Sequence, residues 1–301
     1  MIDAPLYQNA NDVQRQDAQK ILKEFRDVIQ WRPDGRDSLV DIGCGSGDVT
    51  MDFILPIMPK SFSQLVGVDI SEKMIQYSND RYKVPRVDFE VMDIGADLKE
   101  VFKGRFDHVM SFYCLHWVQN QKKALSNIYD LLVEEGDCLL VFLAENAVFE
   151  AYKRLSRKKE WALYMQDVND FITPYQSSKN PAAEFTELLR ASGFSESTVE
   201  IREEVFTYEG TENLKRNVKA ISPFVPRMSP LEQDAFLEDY VQVIDALRLR
   251  EKTSDGTDYR YISPYKLIVA YIDISSFFAL NFNKQLSLNI NEMNIQVFRL
   301  S

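Results

Sequence analysis

The stretch SLVDIGCGSGDVT, Ser38 to Thr50, sets glycines at positions 43, 45 and 47 directly behind an apolar run that carries Asp41. Glycines packed this closely mean that the backbone must take left-handed dihedrals, or that something must approach it without meeting side chains. The run before them reads as a strand, and DVTMDFILPIM after them has helical period. Strand, glycine turn and helix form one unit, and the chain repeats the pattern.

QLVGVD is a second strand, followed by the helix SEKMIQYSNDRY, which Ser71 opens with Glu72 in its first turn. VDFEVMD, FDHVMSFY and DCLLVFLA are further strands. The helix QKKALSNIYDLLVEEG lies between the last two, with Gly136 at the position expected of a helix end. This alternation from Ser38 to about Ala144 implies right-handed crossovers, a parallel sheet and helices on both faces. The expected fold is a doubly wound, Rossmann-like α/β sheet.

Composition limits what such a sheet can serve. The chain has 301 residues, 45% of them hydrophobic, enough for one sizeable core with embellishments. Its formal net charge of -11 repels phosphate backbones, which argues against a nucleic-acid partner. The sequence shows neither a targeting presequence nor an apolar run long enough for stable membrane insertion, so a cytoplasmic location is expected. Cys44, Cys114 and Cys138 are widely spaced, and neither a disulfide framework nor a metal site is expected.

In open α/β sheets ligands bind beyond the carboxyl ends of the strands. There the first strand offers Gly43 and Gly45, the second ends in Asp69 and the third in Asp93. A dinucleotide fingerprint would need a glycine at 48, where this chain has Asp48; its carboxylate would repel a pyrophosphate, so the loop suits a ligand part that is neutral or positive. Asp69 can accept from both hydroxyls of a ribose, and Asp93, followed by Ile94, can border an adenine. Each acid alone is explained equally by helix capping. Three successive strand ends carrying glycines, an acid and an acid resemble the S-adenosylmethionine site of Rossmann-like methyltransferases.

A narrower resemblance rests on LYQNANDVQRQDAQKIL, DIGCGSGDV, FDHVMSFYCLHWVQNQ, GDCLLVFLAENAVFEAY, FITPY and SPYKLIVAY. From about Leu6 to Tyr271 the chain is similar to insect juvenile hormone acid O-methyltransferases. The resemblance implies S-adenosylmethionine as cofactor, with Arg15, Asp41, Gly43, Gly45, Asp69, Ile70, Asp93, Ile94 and Ser111 around it. It implies transfer of a methyl group to a lipophilic terpenoid acid, juvenile hormone acid or farnesoic acid. Such an acid is already ionised at neutral pH, so orientation rather than a strong base is needed. Gln14 and Trp117 have the neutral N–H donors for that task; the competing readings are a solvated helix position for Gln14 and a core aromatic for Trp117. His116 is expected to position rather than to take a proton, and His108 to be structural. Arg15 is either a partner for the cofactor's own carboxylate or a solvated side chain.

One domain is expected over 1–271, with the cofactor-binding core at about 36–145 and helical cap insertions at about 149–192 and 211–249. Tyr113, Tyr152, Trp161, Phe171, Tyr175 and Phe224 are the aromatic candidates for holding the terpenoid chain. The tail from Ile272 to Ser301 departs from the family; it contains five asparagines and alternating Leu and Ile. An added edge strand, self-association as a homodimer and poor order are its three readings.

Overall fold

The computed structural model of the chain describes residues 4–274 and, as a strand, 296–299. Among the described residues nine strands form one sheet: β1 Ser38–Ile42, β2 Gln64–Asp69, β3 Val87–Val91, β4 Phe106–Phe112, β5 Leu132–Asn146, β6 Thr198–Glu209, β7 Arg250–Lys252, β8 Tyr259–Asp273 and β9 Gln296–Arg299. The helices are α1 Ala4–Gln8, α2 Asp12–Phe25, α3 Glu72–Arg81, α4 Gln121–Leu131, α5 Ala147–Leu155, α6 Pro181–Ala191, α7 Thr211–Ile221 and α8 Pro230–Ala246.

The lateral order is β3-β2-β1-β4-β5-β8-β6-β9, with β7 paired to β8. Strands β1 to β5 are mutually parallel, as the alternation over 38–144 predicts. The far side of the sheet is not: β8 inserts antiparallel between β5 and β6, so the sheet is mixed. Successive residues of the central strands alternate between two cores. Leu39, Leu65, Met110 and Leu139 face a cluster with α2, α5 and α8, whereas Val40, Val66, Val109 and Leu140 face one with α4 and α6. With both faces covered, the strands become nearly continuous apolar runs.

Two expected helices differ from the structure. DVTMDFILPIM is helical as expected but irregularly wound: α-helical at Asp48 and Val49, a π-helical turn at Thr50–Ile54, then a 3-10 turn at Leu55–Ile57. Pro56 has no N–H for a regular helical bond and clashes with the preceding turn. The second difference is at α4, which ends at Leu131; residues from Leu132 onward already belong to β5. Pairing with β4 jumps from Phe106–Leu132 to His108–Asp137. Gly136 is therefore no helix cap: a Cβ there would stand 2.9 Å from the carbonyl oxygen of Asp107, which is why the position must be bare. Ser71 does cap α3, accepting from the N–H of Met74.

Part of the tail adds β9 antiparallel to the outer edge of β6. The rest of the tail, 275–295 and 300–301, lies outside the described residues. Among those described, no helix is long and apolar enough to cross a membrane.

At the amino-terminal end of the parallel strands, His108 lies between two carboxylates. Its Nδ1 is 2.7 Å from Asp137 and its Nε2 2.9 Å from Asp37, all three side chains being buried. Burial alone would push the imidazole down, but the two carboxylates outweigh it and hold its pKa up at about 9. Asp137 also accepts from the Gln30 N–H and the Tyr271 hydroxyl, so this staple joins β4, β5, β8, the residue just before β1 and the segment after α2.

Candidate active site

The strand order reverses direction of growth at β1, with β2 on one side and β4 on the other, and this crevice is where the fold seats ligands. The two glycines that lead the loop answer to different needs. At Gly43 φ is +76° and a Cβ would lie 2.3 Å from the Cβ of Cys114, so turn geometry and packing both demand glycine. At Gly45 φ is +53° and a Cβ would point at the Tyr7 ring, 3.3 Å away. Tyr7, on α1, thus covers the loop from above; Gln8 next to it accepts from the Tyr77 hydroxyl of α3 at 2.6 Å.

Asp69 binds this loop through one oxygen, accepting from the Gly45 N–H at 3.0 Å, and the start of α3 through the other, accepting from the Ser71 N–H at 2.8 Å. Each oxygen keeps a further lone pair. Ile70 beside it is 66% exposed, an apolar surface at the mouth of the crevice. Asp93 is exposed, accepting from the Gly95 N–H, while Ile94 is buried. Asp41 and Ser111 sit beneath the loop and face inward. Asp41 accepts from the Thr50 hydroxyl at 2.5 Å, and burial raises its pKa to about 7; Ser111 donates to the Ile42 carbonyl at 2.9 Å.

Helix α2 closes the crevice and carries two functions on adjacent faces. Asn11 and Arg15, four residues apart, both donate to Asp48, at 2.9 and 2.6 Å, and Arg15 also reaches Asp52 at 2.8 Å. The charge of Asp48 is thereby compensated within the protein. Arg15 is neither fully solvated nor turned to an open anion site, because these two carboxylates occupy both terminal nitrogens.

Gln14 faces the other way, into a pocket of about 850 Å³ counted with its open mouth. Tyr7, Gln14, Tyr113, His116 and Trp117 gather at its wall. Val13, Leu143, Val148, Phe149, Leu214 and Ile244 supply apolar surface. The rings of Tyr113, His116 and Trp117 form a series, with centroids 5.9 Å and then 4.8 Å apart. Among the described residues neither the Gln14 amide nor the Trp117 indole N–H has a hydrogen-bond partner. His116 is buried, and burial lowers its pKa to about 3. Its Nδ1 accepts from the Leu143 N–H at 3.4 Å, which assigns the ring proton to Nε2.

The remaining aromatic candidates are not brought to this pocket. Tyr152 and Phe171 pack edge-on against Phe224, at 5.1 and 5.3 Å. Trp161 donates to Asp239 at 2.7 Å, and Tyr175 lies in the core on the α4 and α6 face. The lining instead takes in Tyr208, Asn217, Tyr240 and Ser263, which the sequence reading did not single out. They come from β6, α7, α8 and β8, and no local pattern links segments so far apart.

A glycine loop after β1 in the switch-point crevice, joined to an apolar pocket, is compatible with a methyltransferase. Residues 39–136 match the family described as a methyltransferase domain. The solved structure of the YcgJ protein from Bacillus subtilis shares the fold, with a TM-score of 0.55 at 16% identity over 84% of this chain and 97% of that one. The chain is 52% identical over 274 residues to a juvenile hormone acid O-methyltransferase of Drosophila melanogaster, covering 90% of this chain and 92% of that protein. It is 38% identical over 273 residues to one of Bombyx mori, covering 90% and 97%. The chain therefore belongs to the juvenile hormone acid O-methyltransferase family.

Proposed function

We propose that the chain transfers a methyl group from S-adenosylmethionine to the carboxylate of a lipophilic terpenoid acid, juvenile hormone acid or farnesoic acid, yielding the methyl ester. The observation that carries this reading is the pair of unpartnered neutral donors, Gln14 and Trp117, at one pocket whose other walls are largely apolar. The residues at the crevice fit the cofactor: Asp69 has lone pairs for a ribose, Ile70 offers apolar contact, and the bare loop beside Gly45 admits close approach. When bound, the cofactor supplies an activated, positively charged methyl donor.

The protein's own work is then orientation. Gln14 and Trp117 donate to a carboxylate that is ionised before it binds, and His116, neutral and protonated on Nε2, is a third donor at the same wall. A group with so low a pKa is a feeble base at pH 7. Alignment alone can account for much of a rate enhancement. The apolar wall, to which α7 and α8 contribute, holds the hydrocarbon chain at about 0.8 kcal/mol per buried methylene.

Asp69→Ala is expected to weaken S-adenosylmethionine binding by the loss of two charge-assisted hydrogen bonds, each about 1.5 to 3 kcal/mol. Because the substitution also frees the Gly45 N–H, Asp69→Asn serves as the shape-preserving companion, and calorimetry on both checks the ribose assignment. The function itself is tested with purified protein, methyl-labelled S-adenosylmethionine and farnesoic acid, juvenile hormone acid, palmitic acid, benzoic acid and farnesol. Alkali-labile label with the two terpenoid acids is expected. Label on farnesol in place of the acids, or on none of them, would overturn the reading.

A further inference from the structure

We propose that Asp17 and Tyr113 form a positioning pair that sets the span between Gln14 and Trp117, an inference that rests on the roles given to those two residues above. Asp17 lies three residues beyond Gln14 on α2, so both side chains project from one side of the helix. It is 3% exposed, and its Oδ2 accepts from the hydroxyls of both Tyr113 and Tyr265. Among the described residues no cation hydrogen-bonds to it. A buried carboxylate held by hydroxyls is costly to keep, and the proposed return on that cost is a fixed arrangement of the two elements it joins.

The second costly feature lies at the other end of the same hydrogen bond. Tyr113, just past β4, has φ +57°, a left-handed conformation that a bulky side chain adopts at a cost of roughly 1 to 3 kcal/mol. Its N–H donates to the Val141 carbonyl at 2.8 Å, which ties this strained turn to β5. Its ring lines the pocket and meets His116 edge-on, and His116 in turn meets Trp117. A continuous series of contacts thus runs from the helix of Gln14 through Asp17, Tyr113 and His116 to Trp117. Two donors that must grip one carboxylate sit on separate elements, and this series links them. Tyr265, which does not line the pocket, holds Asp17 from β8.

A purely structural role for Asp17 predicts that its two tyrosine bonds count alike, whereas positioning predicts that only the one to Tyr113 matters for turnover. The test uses the full chain with Tyr113→Phe, Asp17→Asn, their double variant and Tyr265→Phe, measuring kcat and KM for farnesoic acid, cofactor affinity and melting temperature. Tyr113→Phe and Asp17→Asn are each expected to lower kcat roughly 10- to 100-fold, the order that a small misplacement costs. Cofactor affinity should stay within about twofold, and the double variant should be no slower than the worse single one. Tyr265→Phe should lower the melting temperature yet keep kcat within about threefold. Multiplying effects in the double variant, or equal losses of kcat in Tyr113→Phe and Tyr265→Phe, would overturn the pairing. Trp117 emission without any acid, isolated by subtracting the Trp117→Phe spectrum, gives an independent reading. It should shift in Tyr113→Phe and Asp17→Asn but not in Tyr265→Phe; a common shift, or none, contradicts the pairing. Failure of the wild-type enzyme on every acid would refute the function, while this comparison would still decide the pairing.

Discussion

Replacing His108 by leucine should destabilise the protein by about 3 to 5 kcal/mol, lowering its melting temperature by on the order of 10 °C. The substitution leaves the buried Asp37 and Asp137 without the cation between them. Leucine fills similar space, so the loss is electrostatic rather than a cavity. The sign of the pH dependence follows from the raised pKa. The folded imidazole titrates at about 9 against an ordinary 6.5, so its contribution is fully present below about pH 6.5 and is lost as pH rises through about 9. That displacement corresponds to about 3 kcal/mol. Thermal unfolding of wild type and His108→Leu at pH 6, 8 and 9.5 checks this, and the gap between them should narrow at the highest pH. Equal stability at pH 6 would show that the staple contributes nothing.

Gln14→Ala and Trp117→Phe should each reduce turnover on a terpenoid acid by roughly ten- to several-hundred-fold, if each removes a donor worth about 1.5 to 3 kcal/mol in the aligned complex. Both side chains are only half-buried, and among the described residues neither supports another group through a hydrogen bond, so the fold should survive both changes. Affinity for S-adenosylmethionine should barely move, since Gln14 and Trp117 belong to the pocket rather than to the loop after β1. Steady-state kinetics with calorimetry separates the two effects. Full activity of Gln14→Ala would remove the amide from the mechanism.

The half of the fold from Ser38 to Ala144 was legible because its signals are local: short apolar runs alternating with helical stretches, a glycine turn and the Ser71 cap. The antiparallel entry of β8 between β5 and β6 was not, because a strand's neighbours are chosen by contacts with distant sequence. Residues Leu132 to Gly136 kept a helical appearance while pairing requirements drew Leu132 to Phe106. Gln14 and Trp117 were found through the resemblance of their flanking blocks. The aromatic candidates fared differently: composition shows that Tyr152, Trp161, Phe171, Tyr175 and Phe224 are apolar, not which cluster receives them. Asp17 gave no signal at all, since a buried acid on a polar helix is indistinguishable in sequence from a solvated one until Tyr113, just past β4, and Tyr265, on β8, are brought to it.

The central claim is that neutral donors orient an already ionised carboxylate and that no side chain removes a proton. The pH dependence of kcat for farnesoic acid, wild type against His116→Asn, addresses it most directly. With His116 held at a pKa of about 3, wild-type kcat should be flat between about pH 6 and 8, and His116→Asn should keep most of the rate with the same flat profile. A wild-type rate that rises with pH through an ionisation near 6.5, and loses that step together with most of its magnitude in His116→Asn, would contradict the account and make His116 a general base.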